Sequence, residues 1–128
     1  MTDRDFLAGF EAGSLVEFKH RDHIRMAWLY LARDGRQAGA ERIAAGIRHF
    51  AAVKDARALY HETLTRVWIQ LVAAALEATP RAESIEAFLL AHPELADKER
   101  PYAFYRRETL QSDAARAGWV APDLEPLP

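Results

Sequence analysis

The chain has no cysteine. That removes disulfides, thiolate nucleophiles, zinc knuckles and cysteine-held iron–sulfur clusters in one step. It says little about compartment, since a cysteine-free chain fits either redox environment. Long apolar runs are missing too. The longest, Val67 to Leu76, is broken by Gln70 and is far too short to span a bilayer. The opening MTDRDFLAGF has no apolar stretch of signal-peptide length and carries acid from Asp3 onward. We therefore expect a cytoplasmic protein that does not bind membranes. Positive charge is not in excess. There are 17 Lys and Arg against 19 Asp and Glu, for a net charge of -2. A nucleic-acid binder would be more basic, so none is expected as a partner. Strand signals are almost absent, and no Gly-x-Gly-x-x-Gly, phosphate loop, Gly-x-Ser-x-Gly or EF-hand loop occurs.

What is present is apolar and helical in pattern. Half of the 128 residues are hydrophobic, enough for one domain with a sizeable core. The central stretch is FKHRDHIRMAWLYLARD, residues 18–34. Ile24, Ala27, Trp28 and Leu31 recur at the spacing of one helical face, and Met26, Leu29 and Tyr30 widen the stripe. Asp22 as N-cap and Gly35 as stop predict a helix over 23–34. His20 then lies in the entering turn, and it shares a side with His23 only if that turn is itself helical.

The remaining chain reads as further helices. Asp3 caps a helix over 4–12 that Gly13 ends, and Ser14 with Glu17 makes a capping-box pattern for a short turn. GRQAG at 35–39 reads as a loop. A helix over 39–54 follows, in which Gly46 costs about 1 kcal/mol relative to alanine and suits close packing. The longest helix is expected over 56–78, packed at the centre against 23–34. Another covers 83–92, with His92 at its C-terminal end. Pro101 opens a short helix, and Ser112 caps one that stops at Gly118. The fold expected is all-α: a compact, bundle-like single domain over 1–128 of five to six helices. Residues 119–128, with three prolines, form an extended C-terminal tail.

Several groups carry potential chemistry. Glu17 and His20 have the Glu-x-x-His spacing of carboxylate-bridged di-iron bundles, but those need two such motifs and two further glutamates. His61–Glu62 opens a zinc-protease pattern that fails at Thr65, where the second histidine belongs. Tyr102, Tyr105, Arg106 and Arg107 could grip phosphates, yet Glu94, Asp97, Glu99 and Glu108 surround them, and packing anchors are the simpler reading. His49 reads as a rim histidine.

The constellation left is His20, His23, His61 and Glu62. Convergent on neighbouring helices, three imidazoles and a carboxylate suit Zn²⁺ or Fe²⁺. All four are the candidate metal ligands. Without metal, His23, His61 and Glu62 are the candidate catalytic groups for acid–base work on a small polar ligand. The plainer reading keeps His61 as a core residue bonded to Tyr30 or Asp22, and Glu62 as the i,i+4 partner of Arg66. An alternative to any enzyme is an interaction module that self-associates as a homodimer through the apolar face of 56–78.

Three segments, FKHRDHIRMAWLYL at 18–31, RIAAGIRHFA at 42–51 and YHETLTRVW at 60–68, carry a resemblance, with a weaker echo in WVAPDLEPL at 119–127. Together the sequence resembles a family of small uncharacterised bacterial all-helical proteins. The resemblance implies one compact helical domain and brings no activity with it.

Overall fold

A computed structural model describes all of residues 1–128. The chain is all-α, with seven α-helices, three short 3₁₀ turns and no strand. Residues Met1–Tyr60 form one unit and His61–Pro128 another, taken in turn below.

In the first unit, α1 spans Asp3–Ala12. Its N-cap is Thr2, one residue earlier than expected, whose Oγ1 accepts the Asp5 N–H at 3.1 Å. Gly13 closes it in the left-handed region at φ 71°. The turn expected after it is not helical. Glu17 instead pairs at the surface with Lys19 at 3.7 Å, and the Ser14 hydroxyl donates back to the Gly9 carbonyl at 3.5 Å.

Helix α2 spans His20–Asp34, starting three residues before the expected 23. Asp22 is therefore not the N-cap. It sits in the third helical position, and its Oδ2 accepts the Lys19 backbone N–H at 3.0 Å. That is the return half of a capping box, which a carboxylate three residues into a helix can make as readily as it can cap. Gly35 alone separates α2 from α3, which spans Arg36–Val53. The expected five-residue loop is thus one residue. Gly35 turns the whole corner at φ 85°, a conformation costly for any residue with a Cβ.

Helices α2 and α3 pack together closely. A Cβ added at Gly39 would stand 3.0 Å from both the Leu31 Cα and the Tyr30 carbonyl oxygen. At Gly46 it would meet the Phe10 ring at 2.6 Å, so α1 leans that ring on the glycine. Phe10 is fully buried, with ring centroids 5.1 Å from Phe18, 6.2 Å from Tyr30 and 5.7 Å from Phe50. Burying one such side chain contributes about 1.5–3 kcal/mol. Asp55, at φ 55°, turns the chain after α3; aspartate tolerates this better than most residues.

In the second unit, α4 spans Glu62–Ala78. The single helix expected over 56–78 is interrupted. Arg57–Leu59 is a 3₁₀ turn, and Tyr60 and His61 are extended before α4 begins. Helix α4 packs on α7 (Asp113–Ala117) and on the 3₁₀ turn Arg100–Ala103. Helix α5 spans Ile85–Ala91, capped by Ser84 Oγ on the Ala87 N–H at 3.0 Å. It ends at His92, whose Nε2 lies 2.8 Å from Thr79 Oγ1. A third 3₁₀ turn, Pro93–Ala96, follows. Helix α6 is a single turn, Arg107–Leu110. As expected, Ser112 caps α7, accepting the Ala115 N–H at 3.1 Å.

The segment after Gly118 lies extended along this unit and is tied at several points. Thr63, fully buried in α4, donates to the Gly118 carbonyl at 2.7 Å and accepts the Val120 N–H at 3.1 Å. The Tyr105 hydroxyl donates to the Val120 carbonyl at 2.6 Å. Asp123 accepts the Arg106 N–H at 2.9 Å and the Thr109 hydroxyl, and the Leu124 N–H reaches the Phe104 carbonyl at 2.9 Å. No helix of the chain is long and apolar enough to cross a membrane.

Candidate functional site

The four residues singled out by sequence stand at two helix starts. His20 and His23 occupy the first turn of α2. Because that turn is helical, their three-residue spacing places them on one side. The His23 ring lies against Phe18 with centroids 4.0 Å apart. Burial pushes its pKa down to about 4, the neighbouring His20 adds to the shift, and Asp22 opposes it. His23 is therefore neutral at neutral pH.

His61 is the N-cap of α4 and is buried. Its Nδ1 accepts the Leu64 N–H at 3.0 Å, and its Nε2 lies 2.6 Å from the Leu110 carbonyl. A carbonyl only accepts and a backbone N–H only donates, so the proton sits on Nε2. Both ring nitrogens are thereby engaged. Glu62 Oε2 meets Arg66 Nε at 3.1 Å across one helical turn, the pairing its spacing suggested. No group of three or more His, Asp or Glu side chains is placed where it could hold a metal ion.

A different group of polar residues surrounds an open groove of about 840 Å³ in the first unit. Glu11 contributes from α1, Tyr30 and Asp34 from α2, and Arg42, Gly46 and His49 from α3. The small side chains of Ala38 and Ala45 keep the α3 wall low. Tyr30 is fully buried, yet its hydroxyl has no hydrogen-bond partner. Most buried hydroxyls find one, and a buried orphan costs about 1–3 kcal/mol. Its pKa is pushed up to about 12, first by burial and then by the Glu11 carboxylate, with Arg33 and Arg42 opposing. The hydroxyl therefore stays protonated throughout the physiological range and can donate.

The cations nearby are already engaged. The Arg33 and Arg42 guanidinium groups lie over the Tyr30 ring at 5.0 and 5.8 Å from its centroid. Arg33 also binds Asp34 through two hydrogen bonds, at 2.9 and 3.0 Å, and Arg42 reaches the same carboxylate at 3.3 Å. The Arg33 hydrogen bond holds the Asp34 carboxyl below its usual range. So the groove offers a fixed donor, a carboxylate near it, and an arginine–aspartate rim. It lacks an activated nucleophile, and its tyrosine, protonated at neutral pH, presents no phenolate to act as a base.

Sequence reasoning missed this place because Tyr30 fell within the core stripe of α2. A signal was present in α3: Ala38, Arg42, Gly46 and His49 repeat at four, four and three residues, which draws one polar, small-residue face. Compared with models of known families, with curated proteins and with solved structures, the chain matches none, so the resemblance of its 18–31, 42–51 and 60–68 segments assigns it to no family.

Proposed function

We propose that the protein is a recognition module for a small polar molecule, held in the groove between α1, α2 and α3. The observation that carries this reading is the Tyr30 hydroxyl, fully buried at the groove without a partner. A ligand group that pairs with it removes a standing unfavourable term, so binding gains more than an ordinary surface hydrogen bond contributes. The groove is concave, part apolar and lined by a few convergent polar groups, as small-molecule sites are.

The test is a fragment screen followed by protein-observed NMR on the whole chain. Hits should shift the amides of Glu11, Tyr30, Arg42 and His49 saturably. Tyr30→Phe should weaken them about tenfold, the loss of one buried hydrogen bond. Hits that map elsewhere, or that Tyr30→Phe leaves unchanged, would overturn the reading.

A further inference from the structure

Which chemistry the groove takes follows from its charges, and rests on the reading just given. Three carboxylates line it: Glu11, Asp34 and Glu41. Asp34 is neutralised by Arg33 and Arg42, so those two cations have their main partner already. The salt links of Arg33 and Arg42 run to Asp34, and Glu11 is the carboxylate that acts on the Tyr30 hydroxyl. An anionic ligand entering here would meet that charge and find the arginines engaged. A cationic one would find the Glu11 carboxylate and a phenol oxygen that lacks a hydrogen-bond partner.

We infer that the ligand carries a protonated amine, which sits between the Glu11 carboxylate and the Tyr30 hydroxyl. In this arrangement the ammonium donates to a Glu11 oxygen and to Tyr30 Oη, so the ligand supplies the partner that the buried hydroxyl lacks. A carboxylate has no proton to donate to either oxygen, and a neutral alcohol brings no charge to meet that of Glu11. The rest of the molecule runs along the α3 side of the groove, past Ala45 toward His49 and the arginine–aspartate rim. An ammonium–carboxylate hydrogen bond is charge-assisted, and so stronger than a neutral one.

The experiment uses three probes of matched size on the ¹⁵N-labelled full chain: n-butylammonium, n-butanol and butyrate. Probes this small bind only in the millimolar range, which a titration by NMR reads directly. Butylammonium should shift the groove amides saturably, while butanol and butyrate should not. Glu11→Gln keeps the shape and removes the charge; it should weaken butylammonium about tenfold or more. Glu11 is exposed, so this variant should fold as the parent does. Binding that is indifferent to Glu11→Gln overturns the amine assignment. So does saturable, Tyr30-dependent binding of butanol or butyrate, although that result would leave the groove itself as a recognition site. Absence of groove shifts with all three probes overturns both readings.

Discussion

Two residues of α2, Tyr30 and His23, each pose a question about a proton. The Tyr30 hydroxyl is buried without a partner, so Tyr30→Phe should raise stability in urea by about 1–2 kcal/mol while it weakens ligands. A loss of stability instead would mean that the hydroxyl has a partner in solution. His23 makes a different prediction. The unfolded chain takes up a proton near its ordinary 6.5, whereas the folded chain resists until about 4. Between those values the unfolded state binds more protons, so stability falls as pH falls, by about 3 kcal/mol over the window at the most. Above pH 6.5 the residue adds no pH dependence. His23→Leu should flatten urea midpoints between pH 6.5 and 4, and an unchanged acid limb would refute the assignment. Neither property was readable from sequence. Periodicity marked Tyr30 as core, but nothing in spacing says whether a buried hydroxyl finds a partner.

Among the elements, what could be read locally came through. Gly13 ends α1, Ser112 caps α7, and the apolar stripe of α2 is buried at Ile24, Ala27, Trp28 and Leu31. What depends on a single unusual residue did not. GRQAG has the composition of a loop, yet Gly35 alone makes the corner and Arg36 already begins a helix. Periodicity ran through Tyr60 and His61 because histidine is no ordinary cap, and only its contacts show it ending the extended segment. His61→Ala should cost about 2–3 kcal/mol, from the lost cap and the stranded Leu110 carbonyl, while His61→Asn should recover the cap part. Urea unfolding of the three proteins decides this; equal losses for both variants would contradict it. Gly39→Ala sets propensity against packing. Alanine favours the helix by about 1 kcal/mol, but its Cβ would press on the α2 backbone, so a net loss of about 1–2 kcal/mol is expected in the same assay. The site was the least legible level, because Glu11, Tyr30 and Arg42 come from three helices and meet only through packing.

At the scale of the whole molecule, the all-α reading followed from the scarcity of strand signals and the length of the apolar stripes, and seven helices carry it. Far-UV circular dichroism should show helical minima without a strand component. What sequence could not show is how firmly the segment after Gly118 is fastened to the second unit. The amides of Arg106, Val120 and Leu124 each donate across the seam between this segment and the helical body of the second unit. Thr63→Val removes both its bond to the Gly118 carbonyl and its acceptor for Val120. Hydrogen exchange should then quicken at Val120 and Leu124 while amides in the middle of α4 keep their protection. The extended segment thus behaves as a zip fastener, whose teeth are side-chain oxygens and main-chain amides. Its looseness would be heard first in the clock of deuterium uptake, well before any helix melts.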